Sequence, residues 1–204
     1  IGKRRHEEAR AALVAALERA SGPTRNTALL RLGVVEREAN RPDEARRWLE
    51  TALSELPEDP ANSTQRALLL TELGKQAYVA RDFALAEARQ RAALELLRAN
   101  LPPDHPSLSG IRSELGSALF ELGKIDEASE QWSAALATFE RVLEPSHPDF
   151  NTVLANLALV HERRREFAKA SELLSRAIEL RRLALGPDHA RVADLLTRKS
   201  TLLL

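Results

Sequence analysis

Apolar residues recur along the chain at the spacing of one helix face. The positions in one such stretch are Ile125, Ala128, Trp132, Ala135, Leu136 and Phe139. Steps of three and four residues place side chains on the same side of an α-helix. The stretch from 167 to 178 has the same pattern, with Phe, Ala, Leu, Ala and Ile at the apolar positions. The pattern predicts amphipathic helices and an all-α chain.

Pairs of alanines seven residues apart repeat along the sequence. The pairs are Ala9 and Ala16, Ala45 and Ala52, Ala86 and Ala93, Ala128 and Ala135, and Ala170 and Ala177. The first members of successive pairs are 36, 41, 42 and 42 residues apart. A period of this length is typical of helical repeat proteins.

A leucine followed by a small residue precedes the last four alanine pairs. These dipeptides are Leu32-Gly33, Leu73-Gly74, Leu115-Gly116 and Leu157-Ala158. Glycine inside a helix costs about 1 kcal/mol relative to alanine, so its recurrence predicts close approach of a second helix, which we expect to be through that helix's alanine. Short turns, such as 121–126 and 162–167, make the two helices antiparallel neighbours.

In these features the chain resembles the tetratricopeptide repeat (TPR) family, whose pattern is Leu-Gly in a first helix, an aromatic residue at the start of a second, and two alanines seven apart. The resemblance implies a right-handed α-solenoid of antiparallel helix pairs with about ten helices. Full repeats are expected at 26–59, 67–100, 109–142 and 151–184, with a lone second helix at 3–20 and a lone first helix at 190–204, in a single array over 1–204. The 42-residue spacing resembles the kinesin-light-chain-like subtype, which is also found in bacterial multidomain signalling proteins.

The composition narrows the choice of partners. The 30 basic and 30 acidic residues cancel, which gives no general attraction to nucleic acid or to an anionic membrane. No apolar run approaches the roughly 20 residues of a membrane span. The chain has no Cys, which fits a reducing compartment, and we expect a cytoplasmic protein.

The ends of the array are expected to lack capping helices and so to expose apolar faces. We expect the leucines near the end to be exposed or packed against another molecule: Leu195, Leu196, Leu202, Leu203 and Leu204. Self-association through the two ends is therefore a prediction.

Three histidines, His105, His147 and His189, recur every 42 residues in the stretches 103–106, 145–148 and 187–190. They could bind a metal, act in acid–base catalysis, or mark the start of each repeat. Equivalent positions on stacked helices are about 8–10 Å apart, so the three rings cannot share one ion. We therefore expect no metal, no cofactor and no catalytic residues.

Helix capping explains these stretches better. The residues before the histidines, Asp104, Ser146 and Asp188, are good N-caps, and we expect the cap to accept from the amide of Ser107 or Asp149. We further hypothesise that each histidine covers the carbonyl end of the preceding helix. A fourth histidine, His161, lies where the family usually has Tyr, and we expect its ring to be satisfied in the interior or in the seam between helices.

Function is expected on the concave groove that TPR first helices line, where the family binds peptides or partner proteins. The predicted groove residues are Arg31, Arg37, Thr71, Glu72, Lys75, Tyr78, Ser113, Glu114, Ser117, Phe120, Asn156 and Arg163. The rings of Tyr78 and Phe120, 42 residues apart, could form an apolar floor for a ligand or could merely wedge the helices, and both alternatives stay open.

The kinesin-light-chain-like groove carries Asn just before the Leu of each dipeptide, and here only Asn156 fits. Its equivalents are Arg31, Glu72 and Glu114. This difference predicts charge-selective recognition, with basic residues at one end, acidic residues in the middle and Arg163 and Arg198 beyond.

These observations predict a non-catalytic protein–protein interaction scaffold with a protein or peptide ligand, and no nucleic-acid or membrane partner. The resemblance implies that it is the repeat region of a larger bacterial signalling protein, such as a serine/threonine kinase. The alternative is the partner-binding or sensor arm of a transcription regulator or NTPase. An enzyme that uses the linker histidines is the third hypothesis.

Overall fold

The computed structural model describes residues 2–144 and 147–202. These residues form ten α-helices and a single 3-10 turn at Pro60–Asn62, with no strand. The helices are α1 Gly2–Leu17, α2 Gly22–Glu38, α3 Pro42–Glu55, α4 Ser63–Val79, α5 Phe83–Arg98, α6 Pro106–Glu121, α7 Ile125–Val142, α8 Pro148–Arg163, α9 Phe167–Leu185 and α10 Ala190–Thr201. The prediction of an all-α chain with about ten helices is confirmed.

The chain divides into two compact units, unit 1 over Ile1–Leu101 and unit 2 over Pro102–Leu204. Unit 1 contains α1–α5 and is held by a core that includes Leu29, Leu49 and Leu69, all fully buried. Unit 2 contains α6–α10, and its core includes Leu154 and Leu174, also fully buried. Each unit therefore has an apolar interior of its own.

The glycines of the Leu-Gly dipeptides lie directly under side chains of the paired helix. A Cβ at Gly116 would be 2.6 Å from Nε1 of Trp132, and a Cβ at Gly74 would be 2.6 Å from Nε2 of Gln90. The expected close approach is present, but its nearest contact is not with the alanine that we expected, although at Gly33 the carbonyl of Ala45 also lies 3.3 Å from an added Cβ. The nearest contact is with the larger residue four positions later, because side chains in a helix lean toward its N-terminus and can lie across a bare glycine.

This contact also forms a hydrogen bond that repeats with the period of the chain. The indole Nε1 of Trp132 donates to the carbonyl of Ser113 at 3.0 Å, and Nε2 of Gln90 donates to the carbonyl of Thr71 at 3.2 Å. The donors are 42 residues apart, and so are the acceptors. The missing Cβ thus gives the side chain access to a backbone carbonyl of the first helix.

The turn inside each helix pair has one residue in the left-handed conformation. These residues are Asn40 (φ 60°), Arg81 (φ 63°), Gly123 (φ 77°) and Arg165 (φ 60°). In the turn between α8 and α9 the amide of Glu166 donates to the carbonyl of His161 at 2.8 Å. The amide of Arg165 donates to the carbonyl of Glu162 at 3.0 Å. Such paired bonds satisfy the carbonyls at a helix end and reverse the chain in three residues.

The repeated histidines are themselves the N-caps. Nδ1 of His105 accepts from the amide of Ser107 at 3.2 Å, and Nδ1 of His147 accepts from the amide of Asp149 at 3.3 Å. His189 caps α10 in the same way through the amide of Arg191. The amides of Ser107 and Asp149 were predicted correctly as the donors, but the residues predicted to accept from them were not.

Each of these helices begins directly after its histidine, so the residue before the histidine lies one position too far from the helix. This corrects the assignment of Asp104 and Asp188, while Ser146 lies outside the described residues. The ring nitrogen accepts from an amide of the helix that follows the histidine, whereas we expected the ring to cover the carbonyl end of the preceding helix.

The C-terminal leucines divide into three groups. Leu195 is 6% exposed and belongs to the core of unit 2, and Leu202 packs against that core, which corrects the expectation that both are exposed or packed against another molecule. Leu196 is 40% exposed, as expected. Leu203 and Leu204 lie outside the described residues. The core reaches into α10 because the buried residues of α9 supply an apolar face for it.

None of the helices in the described ranges combines the length and the hydropathy that crossing a membrane requires.

Candidate peptide-binding groove

A groove of about 680 Å³ runs between α1, α2 and α4 in unit 1. Its apolar lining is formed by Ala9, Ala12, Leu13, Leu30, Val34, Val35 and Leu68. Its polar lining is formed by Arg31, Thr71, Glu72 and Lys75, four of the predicted groove residues. The groove therefore combines apolar walls with a charged edge.

Helical spacing accounts for the grouping of these side chains. On α4, Leu68, Thr71, Glu72 and Lys75 follow one another at steps of three, one and three residues, which places them on one face. The hydroxyl of Thr71 donates to the carbonyl of Ala67 at 2.8 Å, so it is occupied within its own helix. The ligand-facing polar groups of α4 are therefore the charged ones.

Glu72 is the centre of a small charge cluster at the groove edge. It accepts a hydrogen bond from Nε of Arg37 at 3.2 Å and one from Nζ of Lys75 at 2.9 Å. Its side chain is only 14% exposed. Arg37 does not line the groove and acts there only through this ion pair. Ion pairs within the chain thus neutralise part of the charge that was predicted to be available to a ligand.

Arg31 is different, because it is exposed and has no ion-pair partner among residues 2–144 and 147–202. Together with Lys75 it outweighs the single carboxylate of Glu72. The groove edge therefore carries a net positive charge, which favours an acidic ligand over a basic one.

Tyr78 does not line the groove, although it is on the same helix. Its ring packs edge-on against the ring of Phe83 at the start of α5, with 5.3 Å between the centroids. It is half-buried. This contact supports the alternative in which the ring of Tyr78 packs between α4 and α5.

The predicted residues of unit 2 form a separate patch on α6 and α8. Phe120 lies 5.7 Å from the ring of Trp132, and the guanidinium of Arg163 lies 5.3 Å from the centroid of Phe120. Asn156 is half-buried on α8, seven residues before Arg163 and so on the same helix face. The ring of Phe120 therefore contacts both the indole in the seam and a cation, and it remains partly exposed.

The remaining predicted residues of unit 2 lie on α6. The carbonyl of Ser113 accepts from Trp132 and, at 3.2 Å, from the hydroxyl of Ser117, so both serines take part in internal bonds. Glu114 is half-buried on the same helix. Beyond them, Arg198 bonds Glu162 and the carbonyl of Ala155, which commits this predicted outer charge to the fold.

His161 is partly buried near the α8–α9 turn, with Nδ1 2.5 Å from a carboxylate oxygen of Glu166. This hydrogen bond, reinforced by Lys169, lowers the pKa of Glu166 below its ordinary value. The ring is therefore satisfied internally, as the sequence predicted. Within the described part of the chain no group of three or more His, Cys, Asp and Glu residues is arranged to bind a metal ion.

Sequence reasoning missed the apolar wall of the groove, above all Leu13, Leu30, Val34 and Leu68. The signal was present, since Leu30, Val34 and Leu68 lie near, and not at, the Leu-Gly positions of α2 and α4, and Leu13 lies on the lone helix α1. The polar residues beside the Leu-Gly dipeptides do not indicate this wall, because the apolar residues that form it occupy other positions of the helices. An apolar residue off the seam of a repeat helix is the better indicator of a binding surface.

Antiparallel helix pairs at a regular period, with a groove along the first helices, define a helical-repeat interaction protein. One tetratricopeptide repeat model matches residues 1–62, and another matches residues 109–149 and 152–191. Together they cover more than half of the chain, which belongs to the tetratricopeptide repeat family. Membership supports a general role as a protein–protein interaction scaffold. A comparison with curated proteins found no match.

Solved structures support the same fold. The crystal structure of BtubC (BKLC) from P. vanneervenii aligns with a TM-score of 0.78 at 18% identity, over 97% of this chain and 82% of that one. A putative kinesin light chain from Podosopora anserina aligns at 0.68 and 19% identity, over 89% and 87%. YrrB, a TPR protein with an unusual peptide-binding site, aligns at 0.60 and 24% identity, over 95% and 84%.

Proposed function

We propose that the chain is a non-catalytic scaffold that binds an extended peptide segment of a partner protein in the groove of unit 1. The observation that carries the proposal is the combination of apolar walls with an exposed, unpaired Arg31 at the edge. A peptide with aliphatic side chains and a nearby acidic residue matches both features. The similarity in fold to YrrB, a TPR protein with an unusual peptide-binding site, supports a peptide as the ligand.

The patch on α6 and α8 is a second part of the same proposal. Phe120 offers a partly exposed ring, and Asn156 offers both a donor and an acceptor to a peptide backbone. Arg163 is exposed and extends over the ring. These residues, with Ser113, Glu114 and Ser117, remain proposed contacts.

The wider context that we propose is the cytoplasmic repeat region of a bacterial signalling protein, such as a serine/threonine kinase. The support for this context is the resemblance of the 42-residue repeats to those of such proteins. Self-association through the ends of the array also remains a proposal.

The groove is tested by selecting binders from a displayed library of random nine-residue peptides and measuring the affinity of a selected peptide by fluorescence anisotropy. The groove variants are Arg31→Glu and Leu68→Ser, which alter an exposed cation and a wall residue that is 47% exposed. The matched controls are Arg19→Glu and Leu183→Ser, both exposed and outside the groove.

We expect each groove variant to weaken binding at least tenfold, while the controls keep the original affinity and all four variants keep the melting temperature. The melting temperature should hold because surface substitutions of this kind usually change stability by less than about 0.5 kcal/mol. If the peptides bound all four variants with equal affinity, the binding surface would lie elsewhere, and the proposal that the groove binds peptides would be wrong.

A further inference from the structure

A second cavity of about 240 Å³ opens in unit 1, and none of its lining residues lines the groove. Helices α3 and α5 form its two walls, and the C-terminal part of α4 lies between them. We call it the α3–α5 pocket. It carries features that the other repeats do not share.

The pocket is lined by two exposed apolar side chains, Val79, which is 66% exposed, and Leu85, which is 42% exposed. Every other full repeat has a charged residue at both positions. The equivalents of Val79 are Glu38, Glu121 and Arg163, and those of Leu85 are Glu44, Glu127 and Lys169. The repeat architecture therefore does not require apolar residues here, and their exposure opposes solubility.

Inside the same pocket the pattern is reversed, because a polar residue takes an apolar position. Gln76 is 5% exposed and lines the pocket, whereas its equivalents are Val35, Ala118 and Val160. Neither Nε2 nor Oε1 of Gln76 has a hydrogen-bond partner among the described residues. A buried carboxamide without partners destabilises the fold, so its presence needs a compensating role.

The charges of the pocket are also arranged asymmetrically. Arg89 lies on the α5 wall and Glu50 lies on the α3 wall, and neither has an ion-pair partner in residues 2–144 and 147–202. Three other charged residues line the pocket, and each already has a partner in the chain. Asp43 and Arg46 form a hydrogen bond of 3.0 Å, and the carboxylate of Asp82 accepts from the amide of Leu85 at 3.1 Å as the N-cap of α5. A cation on α5 and an anion on α3 thus remain available to a ligand.

We infer that the α3–α5 pocket is a second binding site, which takes a peptide segment of a partner protein with an aliphatic side chain next to an acidic residue. The aliphatic side chain packs between Val79 and Leu85. The acidic side chain pairs with Arg89, and Glu50 on the opposite wall disfavours the reversed orientation. A rotation of the Gln76 side chain turns its carboxamide into the pocket, where it donates to and accepts from one peptide group of the ligand.

The test separates this site from the groove by selecting from the nine-residue peptide library against the chain that carries both Arg31→Glu and Leu68→Ser. The affinity of a synthetic copy of the enriched peptide is then measured by isothermal titration calorimetry. The expected enriched sequence has Leu, Ile or Val beside Asp or Glu. Failure to enrich any peptide, or enrichment of sequences without an acidic residue, would overturn the inference.

The first variant to compare is the double substitution Val79→Glu and Leu85→Glu, which installs residues that other repeats carry at these positions and so should fold. We expect it to weaken the enriched peptide at least tenfold. Its matched control is Val142→Glu with Leu183→Glu, two residues that are exposed in unit 2. Equal losses in both double variants would mean that the peptide binds exposed apolar surface without a site.

The second variant, Gln76→Ala, distinguishes binding from structure, because Ala is the residue that α6 has at the equivalent position. Removal of an unsatisfied buried amide should raise the melting temperature, while loss of the backbone contacts should weaken the peptide at least fivefold. A lower melting temperature with unchanged peptide affinity would show that Gln76 has only a structural role and would contradict the inference.

A second copy of the chain is the competing occupant of the pocket. Sedimentation velocity of the unmodified chain and of the Val79→Glu, Leu85→Glu variant decides between them. We expect the same sedimentation coefficient for both. An oligomer that dissociates on this double substitution would assign the apolar surface to self-association and overturn the peptide site.

Discussion

At the scale of single residues, the same left-handed turn position is occupied by three different residue types in the four helix pairs. Asn40, Arg81, Gly123 and Arg165 all have φ between 60° and 77°. A residue with a Cβ is strained there, by roughly 1–2 kcal/mol, and glycine is not. Arg81 is also placed over the ring of Phe83, with 5.6 Å to the centroid, which compensates part of that strain.

Arg165 is the position where strain relief is easiest to measure, because its exposed side chain makes no hydrogen bond or ion pair with the described residues. We predict that Arg165→Gly raises the free energy of unfolding by about 1 kcal/mol, since it removes the Cβ from a left-handed residue. Urea unfolding followed by circular dichroism measures the change.

The control for this prediction is Arg165→Ala, which removes the same charge and keeps the Cβ. It should leave the urea midpoint nearly unchanged. If alanine stabilised the chain as much as glycine, the gain would come from charge removal within the cluster of three arginines, and the strain argument would be wrong.

The histidine caps show where residue-level prediction succeeds and where it stops. The period of the histidines and the amides of Ser107 and Asp149 could be predicted, because a proline after the histidine fixes the first helical turn. The side chain that accepts from these amides could not be predicted, since Asp or Ser and His lie next to each other just before the helix. Only the position of the first helical residue decides which side chain reaches the amide.

At the scale of the helix pair, the seam depends on a glycine under a large side chain. Gly116 in α6 lies beneath the indole of Trp132, whose Nε1 reaches the carbonyl of Ser113. The same helix contains a second glycine, Gly110, with no other side chain or neighbouring atom within 4 Å of a Cβ added there. One helix therefore offers a glycine that packing requires and one that it does not.

We predict opposite effects of alanine at these two positions. Gly116→Ala should lower the free energy of unfolding by about 1–3 kcal/mol, because the added methyl displaces Trp132 and breaks its hydrogen bond. Gly110→Ala should raise it by up to about 1 kcal/mol through helix propensity alone. Chemical unfolding of both variants tests the pair.

The fluorescence of Trp132, measured in a Trp48→Phe background so that the second tryptophan does not contribute, provides an independent reading of the same prediction. Its emission should shift in Gly116→Ala, because the indole loses its hydrogen bond, and should stay constant in Gly110→Ala. Equal stabilisation by both substitutions would contradict the view that close packing selects glycine at the Leu-Gly seam.

Sequence periodicity predicted the helix pairs well because burial repeats with them. The alanine pairs of α3, α5, α7 and α9 are at most 1% exposed, so selection of a small residue is visible in every copy. The binding surfaces were predicted less well. Lining residues such as Leu68 and Val79 differ between repeats. A prediction based on the repeat period uses the residues that the copies share, and so it does not detect positions that differ.

At the scale of the whole molecule, the chain was predicted as a single array, and its contacts divide it into two compact units. The division falls in the segment between α5, which ends at Arg98, and α6, which begins at Pro106. Repeat proteins are stabilised by interfaces between neighbouring repeats, so a group of helices with its own core can be stable without the rest.

We therefore predict that residues 1–101 and residues 102–204 fold separately. Each unit contains five helices and its own set of fully buried leucines, and domains of about 100 residues are the commonest size of independent folding unit. Each fragment should show a helical circular dichroism spectrum and one cooperative transition in urea. A fragment that lacks a cooperative transition would mean that its core needs the other unit, and the single-array prediction would then describe the energetics better than the two-unit division does.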